Sequence, residues 1–148
     1  MYYDSYYSRH DKAYNKETIA HNTLLIYDSD EDFFDRPNAG GQRRPTLDEP
    51  QKMAEWMEPR FETGEVLAHA YGPDETEPAY SYLAGDIAKA YSDKAKEVLR
   101  SMAFLPLSGA AHKGVLFVGD KITAASPEYK KTFLLHMQEE PRVEGNVA

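Results

Sequence analysis

Short apolar runs bounded by turn signals recur along the chain, and each predicts a β-strand. The first, "NTLLIYD", occupies residues 22–28. The others follow Gly64 in the order "EVLAHAYG", "AYSYLAGD", "KEVLRSMAFLPL", "HKGVLFVGDKITA" and "YKKTFLLHMQEEP". Roughly six or seven such strands predict an all-β fold, an antiparallel two-sheet β-sandwich.

Two segments are open to more than one interpretation. We interpret "HKGVLFVGDKITA" as an apolar strand, a Gly-Asp turn and a second short strand. The segment "DIAKAYSDKAKEVL" at residues 86–99 also has the spacing of an amphipathic helix. We favour strand–turn–strand for it, with "YSDKAK" as the connection.

The first half of the chain shows less regular patterning. Residues 1–20 are polar and rich in tyrosine, and they predict a loop or short strands. Residues 29–50 are acidic and then rich in glycine, proline and arginine, which predicts a long loop. One short helix is predicted near residues 48–57, where Asp48 can cap the first turn and apolar residues follow at helical spacing.

Composition and charge narrow the class of protein. The 148 residues are enough for one domain with a core, and we predict a single domain over residues 1–148. The net charge of −8 argues against nucleic-acid binding, and the lack of cysteine excludes disulfides and thiolate ligands. No apolar run is long enough for a transmembrane helix, and the first residues do not have the pattern of a signal peptide. Because the chain opens inside a dense aromatic segment, we expect it to be a fragment of a longer protein.

Three segments resemble a known enzyme family. "TIAHNTLLIYD", "GDIAKAYSDKAKEVLRS" and "KTFLLHMQEEPRVEGN" are similar to the C-terminal part of the heparinase II/III-like polysaccharide lyases, and the resemblance covers nearly the whole chain in order. It implies an N-terminal α/α toroid, which is missing here, followed by an antiparallel β-sandwich with bound zinc. It also implies β-elimination of acidic, uronate-containing glycans such as heparin and heparan sulfate. That substrate class implies a periplasmic or secreted location.

A tyrosine can act as acid or base in β-elimination when neighbouring cations lower its pKa. Tyr6 and Tyr7 lie in the sequence close to Arg9, His10 and Lys12, which provide such a setting. The resemblance implies that a tyrosine of this segment is catalytic, with Tyr7 the first choice and Tyr6 the second, and that Arg9 and His10 contact substrate. The alternative is that the two rings pack against a neighbouring domain.

His21 lies just before the first apolar strand, and its spacing to the other histidines does not define a metal site. A lone histidine of this kind is more often a hydrogen-bonded structural residue. The resemblance implies instead that His21 is one ligand of a structural zinc ion. The remaining ligands would lie upstream, so we expect an incomplete zinc site and an inactive chain when it is produced alone.

Three further side chains carry specific expectations. Arg43, in "GGQRRP", is a candidate for substrate binding, because a guanidinium group pairs well with a carboxylate or sulfate. The alternative for Arg43 is a solvated loop. Arg100 is predicted to pair with an acid such as Asp120 rather than with substrate, and His136 is predicted to be buried and hydrogen-bonded.

Two other functions fit the same sequence. A non-catalytic carbohydrate-binding or interaction sandwich would lay tyrosines flat on an exposed face and bury His21 without a metal. An inert truncation would expose core surface where the toroid docks, and a large apolar patch would mark it.

Overall fold

The structure, a computed structural model, describes residues 8–33, 37–43, 52–109, 113–140 and 145. Within these residues the α-helix is α1 (Met53–Trp56), and the strands are β1 (Leu24–Tyr27), β2 (Glu65–Gly72), β3 (Tyr80–Asp86), β4 (Ala95–Pro106), β5 (Gly114–Ala124) and β6 (Lys130–Phe133). A π-helical turn spans Asp11–Asn15, and 3₁₀ turns span Thr18–Ala20, Pro59–Phe61 and Ala88–Lys94.

The chain divides into two compact units, each with its own antiparallel sheet. One unit comprises Met1–Gln42 and Tyr129–Ala148, and the other comprises Arg43–Glu128. The predicted fold class is confirmed: the chain is all-β, with two antiparallel sheets and few short helical segments, as in a two-sheet β-sandwich. The single domain predicted for residues 1–148 stays a prediction.

The first unit is built around β1. This strand pairs antiparallel with β6, from Leu24 opposite Phe133 to Tyr27 opposite Lys130. Leu24, Leu25 and Ile26 are all buried. Because neighbouring residues of a strand point to opposite faces, three buried residues in a row mean that β1 is covered on both sides.

The loop after β1 folds back onto the strand. The backbone N–H of Ile26 donates to the carbonyl of Gly40 at 2.8 Å. The Asn38 amide donates to the carbonyls of Asp28 and Glu31 at 2.6 and 2.9 Å, and its oxygen accepts from the Gly40 N–H. The described residues 29–33 and 37–43 contain no helix or strand, so they fit the predicted long loop, but residues 40–43 are held by the fold.

The second unit contains a four-stranded sheet in the order β2-β3-β4-β5, with every pair antiparallel. Its longest ladder joins β4 to β5, from Ala95 opposite Ala124 to Pro106 opposite Gly114. A bulge at Leu67 interrupts the pairing of β2 with β3. These strands lie where the apolar runs predicted them.

The prediction for "HKGVLFVGDKITA" is wrong in one respect. There is no turn at Gly119 and Asp120, because β5 continues without a break through both residues. Gly119 stands opposite Ser101, and Asp120 stands opposite Arg100. The long neighbouring strand β4 supplies backbone partners along this whole stretch, and that pairing outweighs the local turn preference of Gly-Asp.

The segment over residues 86–99 is strand–turn–strand, and the alternative amphipathic helix is wrong. β3 ends at Asp86, a 3₁₀ turn follows, and β4 begins at Ala95. The Asp86 carboxylate accepts from the backbone N–H of Ala88 at 2.9 Å, and the Ile87 N–H donates to the Val98 carbonyl at 2.9 Å. These bonds close the connection onto the start of β4.

Two other local expectations need correction. The described part of residues 1–20 forms helical turns rather than a loop or strands. The backbone N–H of Asp11 donates to the Ser8 hydroxyl oxygen at 3.0 Å, and the Asp11 carboxylate forms an ion pair with Lys16 at 2.8 Å, and both contacts stabilise the first turn. His136 is exposed rather than buried, and its backbone N–H donates to the side-chain oxygen of Asn22. The predicted helix near residues 48–57 is present as α1, while Asp48 lies outside the described residues.

Both faces of the four-stranded sheet carry exposed apolar side chains. The register and the alternation of side chains assign each residue to a face. One face, which also holds Arg100, exposes Tyr71, Leu83, Phe104, Leu116 and Val118. The other face, which holds Tyr82, exposes Tyr80, Leu105, Val115 and Phe117. In a sheet with one solvated face, apolar and polar residues normally alternate along each strand. The strands of this sheet do not alternate in this way, so neither face is predominantly polar.

Within the described part of the chain, no helix has the length and apolar character needed to cross a membrane.

Candidate substrate-binding site

Four of the six predicted site residues lie within the described structure. Tyr6 and Tyr7, the two predicted catalytic tyrosines, lie outside it. Arg9 and His10 are exposed and precede the π-helical turn. The His10 ring stacks on Tyr14, with centroids 5.3 Å apart and planes 24° from parallel. The structure therefore presents two basic side chains to solvent just after the tyrosine segment.

The buried acid of this region is neutralised inside the turn. Asp11 is almost fully buried and pairs with Lys16 at 2.8 Å. Arg9 and His10, the two side chains predicted to contact substrate, directly precede this residue in the chain and are exposed, and their contact with substrate stays a prediction.

His21 is exposed, and it caps a 3₁₀ turn instead of starting β1, which begins at Leu24. Its backbone N–H donates to the Thr18 carbonyl at 3.1 Å. Among the described residues, no group of three His, Cys, Asp or Glu side chains could hold a metal ion. The described residues do not fit a complete zinc site, and His21 as a zinc ligand stays a prediction that needs ligands from elsewhere.

Arg43 is fixed by the backbone around it. Its guanidinium donates to the carbonyls of Lys89 at 2.7 Å, Arg60 at 3.0 Å and Glu62 at 2.7 Å. Its own N–H donates to the Ala90 carbonyl at 2.7 Å. A planar guanidinium group can bind several carbonyl oxygens at once, because its N–H donors are held in a rigid fork. Arg43 therefore joins three stretches of chain, while substrate binding by Arg43 and its solvated-loop alternative both stay predictions.

A pocket of about 530 Å³ opens beside Arg43 in the second unit. Its charged lining residues are Arg43, Glu62, Lys89, Asp93 and Lys96. Lys89 forms an ion pair with Glu62. The hydrogen bond and charge of Lys89 lower the pKa of Glu62, and the same contact raises the pKa of Lys89. The carbonyl partners of Arg43 do not neutralise its charge, so the pocket wall keeps a cationic side within an acidic chain.

Ser92 lines the same pocket with an unusual backbone. Its φ is +58° and its ψ is −159°, a region that non-glycine residues rarely adopt. Its hydroxyl donates to the Tyr91 carbonyl. Strained residues of this kind are concentrated at functional sites, and their strain costs on the order of 1–3 kcal/mol. The position of Ser92 supports treating this pocket as a binding site.

Most residues of this pocket were not predicted from the sequence. Arg43 was singled out, but Lys89, Ser92, Asp93 and Lys96 were not. All four belong to the connection between β3 and β4 or to the first residues of β4. Their signal was present in "AKAYSDKAK", where charged residues surround a serine in a connection predicted to be irregular.

The predicted pairing of Arg100 with Asp120 is confirmed. The guanidinium donates to both carboxylate oxygens across β4 and β5, at 2.7 and 3.0 Å. The two residues stand directly opposite each other in the ladder. The Asp120 hydrogen bond raises the pKa of Arg100. This pair holds the sheet together and leaves Arg100 with no free charge for a ligand.

A second cleft, of about 630 Å³, lies at the other end of the sheet. Ser81, Phe104 and Leu107 contribute to its wall. Tyr71 stands opposite Ser81, and Ser81 stands opposite Phe104, so a hydroxyl lies between two aromatic residues on one face.

No protein-family model matches the sequence, and no curated protein matches it.

Proposed function

We propose that this chain is the C-terminal part of a polysaccharide lyase that cleaves acidic, uronate-containing glycans, such as heparin and heparan sulfate, by β-elimination. The proposal begins from the resemblance of three segments to the heparinase II/III-like lyases. The observation that carries it is the four-stranded sheet, whose two faces both expose large apolar side chains. An exposed apolar sheet face fits a missing neighbouring domain such as an α/α toroid, and the inert truncation makes the same prediction, so an assay of activity is needed to separate the two.

β-Elimination of a uronate needs three actions at defined atoms. A base removes the proton at C5, the electron pair forms the C4–C5 double bond, and the bond from C4 to the glycosidic oxygen breaks. An acid then protonates the leaving oxygen. In the proposal Tyr7, or Tyr6 in its place, exchanges these protons, while Arg9 and His10 neutralise the carboxylate and favour loss of the C5 proton.

The pocket beside Arg43 is the proposed contact for the acidic polymer. The wall holds three cationic side chains and two acidic ones, which leaves one net positive charge: Arg43, Lys89 and Lys96 against Glu62 and Asp93. Local charge within a Debye length of about 8 Å governs contact with a polymer more than the net charge of the chain does. The net charge of −8 is therefore compatible with an anionic substrate. Because its fork is engaged by carbonyls, Arg43 contributes mainly by shaping the pocket wall.

The test measures formation of unsaturated uronate by its ultraviolet absorbance, using the chain as it occurs in its full-length protein. Heparan-type and alginate-type polymers serve as substrates. We expect Tyr7→Phe to lower the rate by on the order of 100-fold or more, because acid–base groups contribute about 10²–10⁴. Tyr14→Phe is the matched control, since Tyr14 lies in the same region and is stacked on His10. If no acidic glycan yields the double bond, the lyase proposal is wrong.

Zinc is proposed as a structural ion that holds the tyrosine segment in place, with His21 as one of its ligands. When bound, it supplies rigidity rather than chemistry. Zinc content per chain in the full-length protein is expected to fall in His21→Ala and to stay unchanged in His136→Ala, another exposed histidine. Unchanged zinc in His21→Ala would remove His21 from the site.

A non-catalytic carbohydrate-binding module is the second candidate, favoured by the cleft that Phe104 lines. It predicts binding of neutral as well as acidic oligosaccharides without cleavage. Calorimetric titration should then show binding that Phe104→Ala weakens and Phe61→Ala, an aromatic change outside the sheet, does not. The same candidate predicted a buried His21, and the structure shows an exposed one.

A further inference from the structure

The pocket beside Arg43 contains two charged side chains that have no partner in the described part of the chain. Asp93 and Lys96 are exposed, and neither side chain forms an ion pair or a hydrogen bond there. The other acid and the other lysine of the wall, Glu62 and Lys89, already bind each other. The carboxylate of Asp93 and the ammonium group of Lys96 are therefore the charged groups of the wall that a ligand can bind directly.

A bulge in β4 brings Lys96 to the pocket. The register of β4 with β5 shifts between Ala95 and Glu97, so Lys96 is an extra residue in this ladder. Neighbouring residues of a regular strand point to opposite faces, but Ala95 and Lys96 line the same pocket. Bulges redirect side chains in this way and are over-represented next to active sites. The backbone of β4 therefore holds the unpaired ammonium group at the pocket wall.

Ser92 and Asp93 supply hydrogen-bond acceptors to the same pocket. The Ser92 hydroxyl already donates to the Tyr91 carbonyl, so toward a ligand its oxygen can only accept. An ionised carboxylate such as that of Asp93 is also an acceptor and not a donor. Lys96 has the opposite character, because its ammonium group only donates and attracts an anion. The wall is therefore complementary to a ligand that has one anionic group and several hydrogen-bond donors.

We propose that this pocket binds one sugar acid, a hydroxylated ring with a single carboxylate, and serves as the subsite for one uronate residue of the glycan. Lys96 binds the carboxylate of the ligand, while Asp93 and the Ser92 hydroxyl oxygen accept from its ring hydroxyls. The pocket volume of about 530 Å³ falls within the range of about 300–1,000 Å³ that is typical of small-molecule sites. The inference rests on the proposed function for the polymer to which the sugar acid belongs.

The charge of the wall favours a sugar acid over three other kinds of small ligand. Three cationic and two acidic side chains leave one net positive charge, which a ligand with a single negative charge complements. A free amino acid is a zwitterion with no net charge, and a neutral sugar leaves Lys96 without an anion. Sulfate has no hydroxyl group to donate, and its negative charge is repelled by Asp93.

The experiment is a titration of the isotope-labelled full chain with D-glucuronate, followed through its backbone amide signals by nuclear magnetic resonance. We expect the signals of residues 88–96 to shift with a dissociation constant on the order of 1 mM, because a few polar contacts in an open pocket give weak binding. Glucose, the free amino acid alanine and inorganic sulfate serve as comparison ligands. Each of them should bind at least about 10-fold more weakly than glucuronate.

Substitutions of the two unpaired groups test their separate roles. Lys96→Met should weaken glucuronate binding by about 10-fold, because it removes the cation that binds the carboxylate, whereas Lys96→Arg should retain most of the affinity. Lys113→Met is the matched control, since Lys113 is an exposed lysine outside the pocket. Asp93→Asn should weaken glucuronate binding and strengthen sulfate binding, because it removes a charged acceptor and a source of repulsion together. A purely structural role of Asp93 would not move the two ligands in opposite directions.

The proposal is overturned if glucuronate shifts no signal of residues 88–96, if glucose, alanine or sulfate binds as tightly, or if Lys96→Met and Lys113→Met have equal effects. The comparison of ligands uses the unsubstituted chain, so it decides the matter even if a variant fails to fold. Its outcome is also separate from that of the lyase assay. Glucuronate binding without cleavage of any acidic glycan would contradict the lyase proposal alone, and cleavage without glucuronate binding would contradict the subsite alone.

Discussion

At the residue scale, the Arg100–Asp120 pair shows that burial strengthens an ion pair. Both side chains are largely buried, at 14% and 11% exposure, and both carboxylate oxygens are engaged. Glu97 and Lys121 form an ion pair between the same two strands, at 2.9 Å, but the Lys121 side chain is 69% exposed. Solvent screens the attraction between Lys121 and Glu97, whereas the buried attraction between Arg100 and Asp120 is screened much less. Two ion pairs between the same two strands therefore contribute different amounts to stability.

Asp120→Asn is expected to lower the free energy of unfolding by about 2 kcal/mol, because it leaves a largely buried guanidinium without its charged partner. Glu97→Gln, which breaks the exposed pair, should cost less than about 1 kcal/mol. Urea unfolding followed by circular dichroism measures both. Equal losses in the two variants would contradict the importance given to burial.

At the scale of elements, the strands could be predicted and their boundaries could not. Apolar runs located β1 to β6, but the apparent Gly-Asp turn was absorbed into β5 because β4 is long enough to pair with it. The helical turns near residue 11 were not predicted either, since a contact between Asp11 and Lys16 forms only when the chain has already turned. Local propensity is a weak guide where a neighbouring segment supplies the partners.

The loop after β1 can pack against the strand only because residue 40 is a glycine. Gly40 has φ +76°, and a Cβ there would lie 2.9 Å from the Ile26 carbonyl oxygen. Gly109 has a similar φ of +73°, but nothing lies within 4 Å of its added Cβ. The two positions share the backbone requirement and differ in the space available.

Gly40→Ala is therefore expected to destabilise the protein by about 2–4 kcal/mol, from φ strain and steric overlap together. Gly109→Ala should cost only about 1 kcal/mol, from φ strain alone. Thermal unfolding of both variants separates the two contributions. A Gly40→Ala variant that is no less stable than Gly109→Ala would show that the loop can move away from β1.

At the scale of the whole molecule, burial is concentrated in few places. Ile26, Tyr91 and Val98 are the largest fully buried side chains among the described residues, whereas much of the four-stranded sheet is exposed. Core residues that carry stability are therefore fewer than the apolar content of the sequence indicates. Exposed apolar faces and an open edge leave the molecule able to bind something further.

Val98→Ala is expected to cost about 2 kcal/mol, because Val98 is fully buried and its methyl groups leave a cavity. Val118→Ala, the same change at a residue that is 40% exposed, should cost less than about 1 kcal/mol. Chemical unfolding of both variants followed by circular dichroism provides the comparison. A cost at Val118 that matches the cost at Val98 would show that the sheet face is covered in solution.

The candidate site was predictable only in part. The sequence indicated an acid such as Asp120 as the partner of Arg100, and it indicated Arg43 as a candidate from its basic, glycine-rich loop. The groups that Arg43 contacts could not be predicted from the sequence, because three carbonyls from two other segments converge on it only in the folded chain. Lys89 and Lys96 line a pocket with Arg43, although about 50 residues separate the two lysines from Arg43 in the sequence. Local sequence patterns do not predict contacts over such a separation.

The sequence by itself determined the all-β class and the approximate positions of the strands, because both depend on the alternation of apolar and polar residues along the chain. Only the tertiary structure decided that β5 is continuous, that Arg43 is held by backbone carbonyls, and that both faces of the sheet stay exposed. Those outcomes depend on contacts between distant segments, and burial and convergence exist only once the chain has folded.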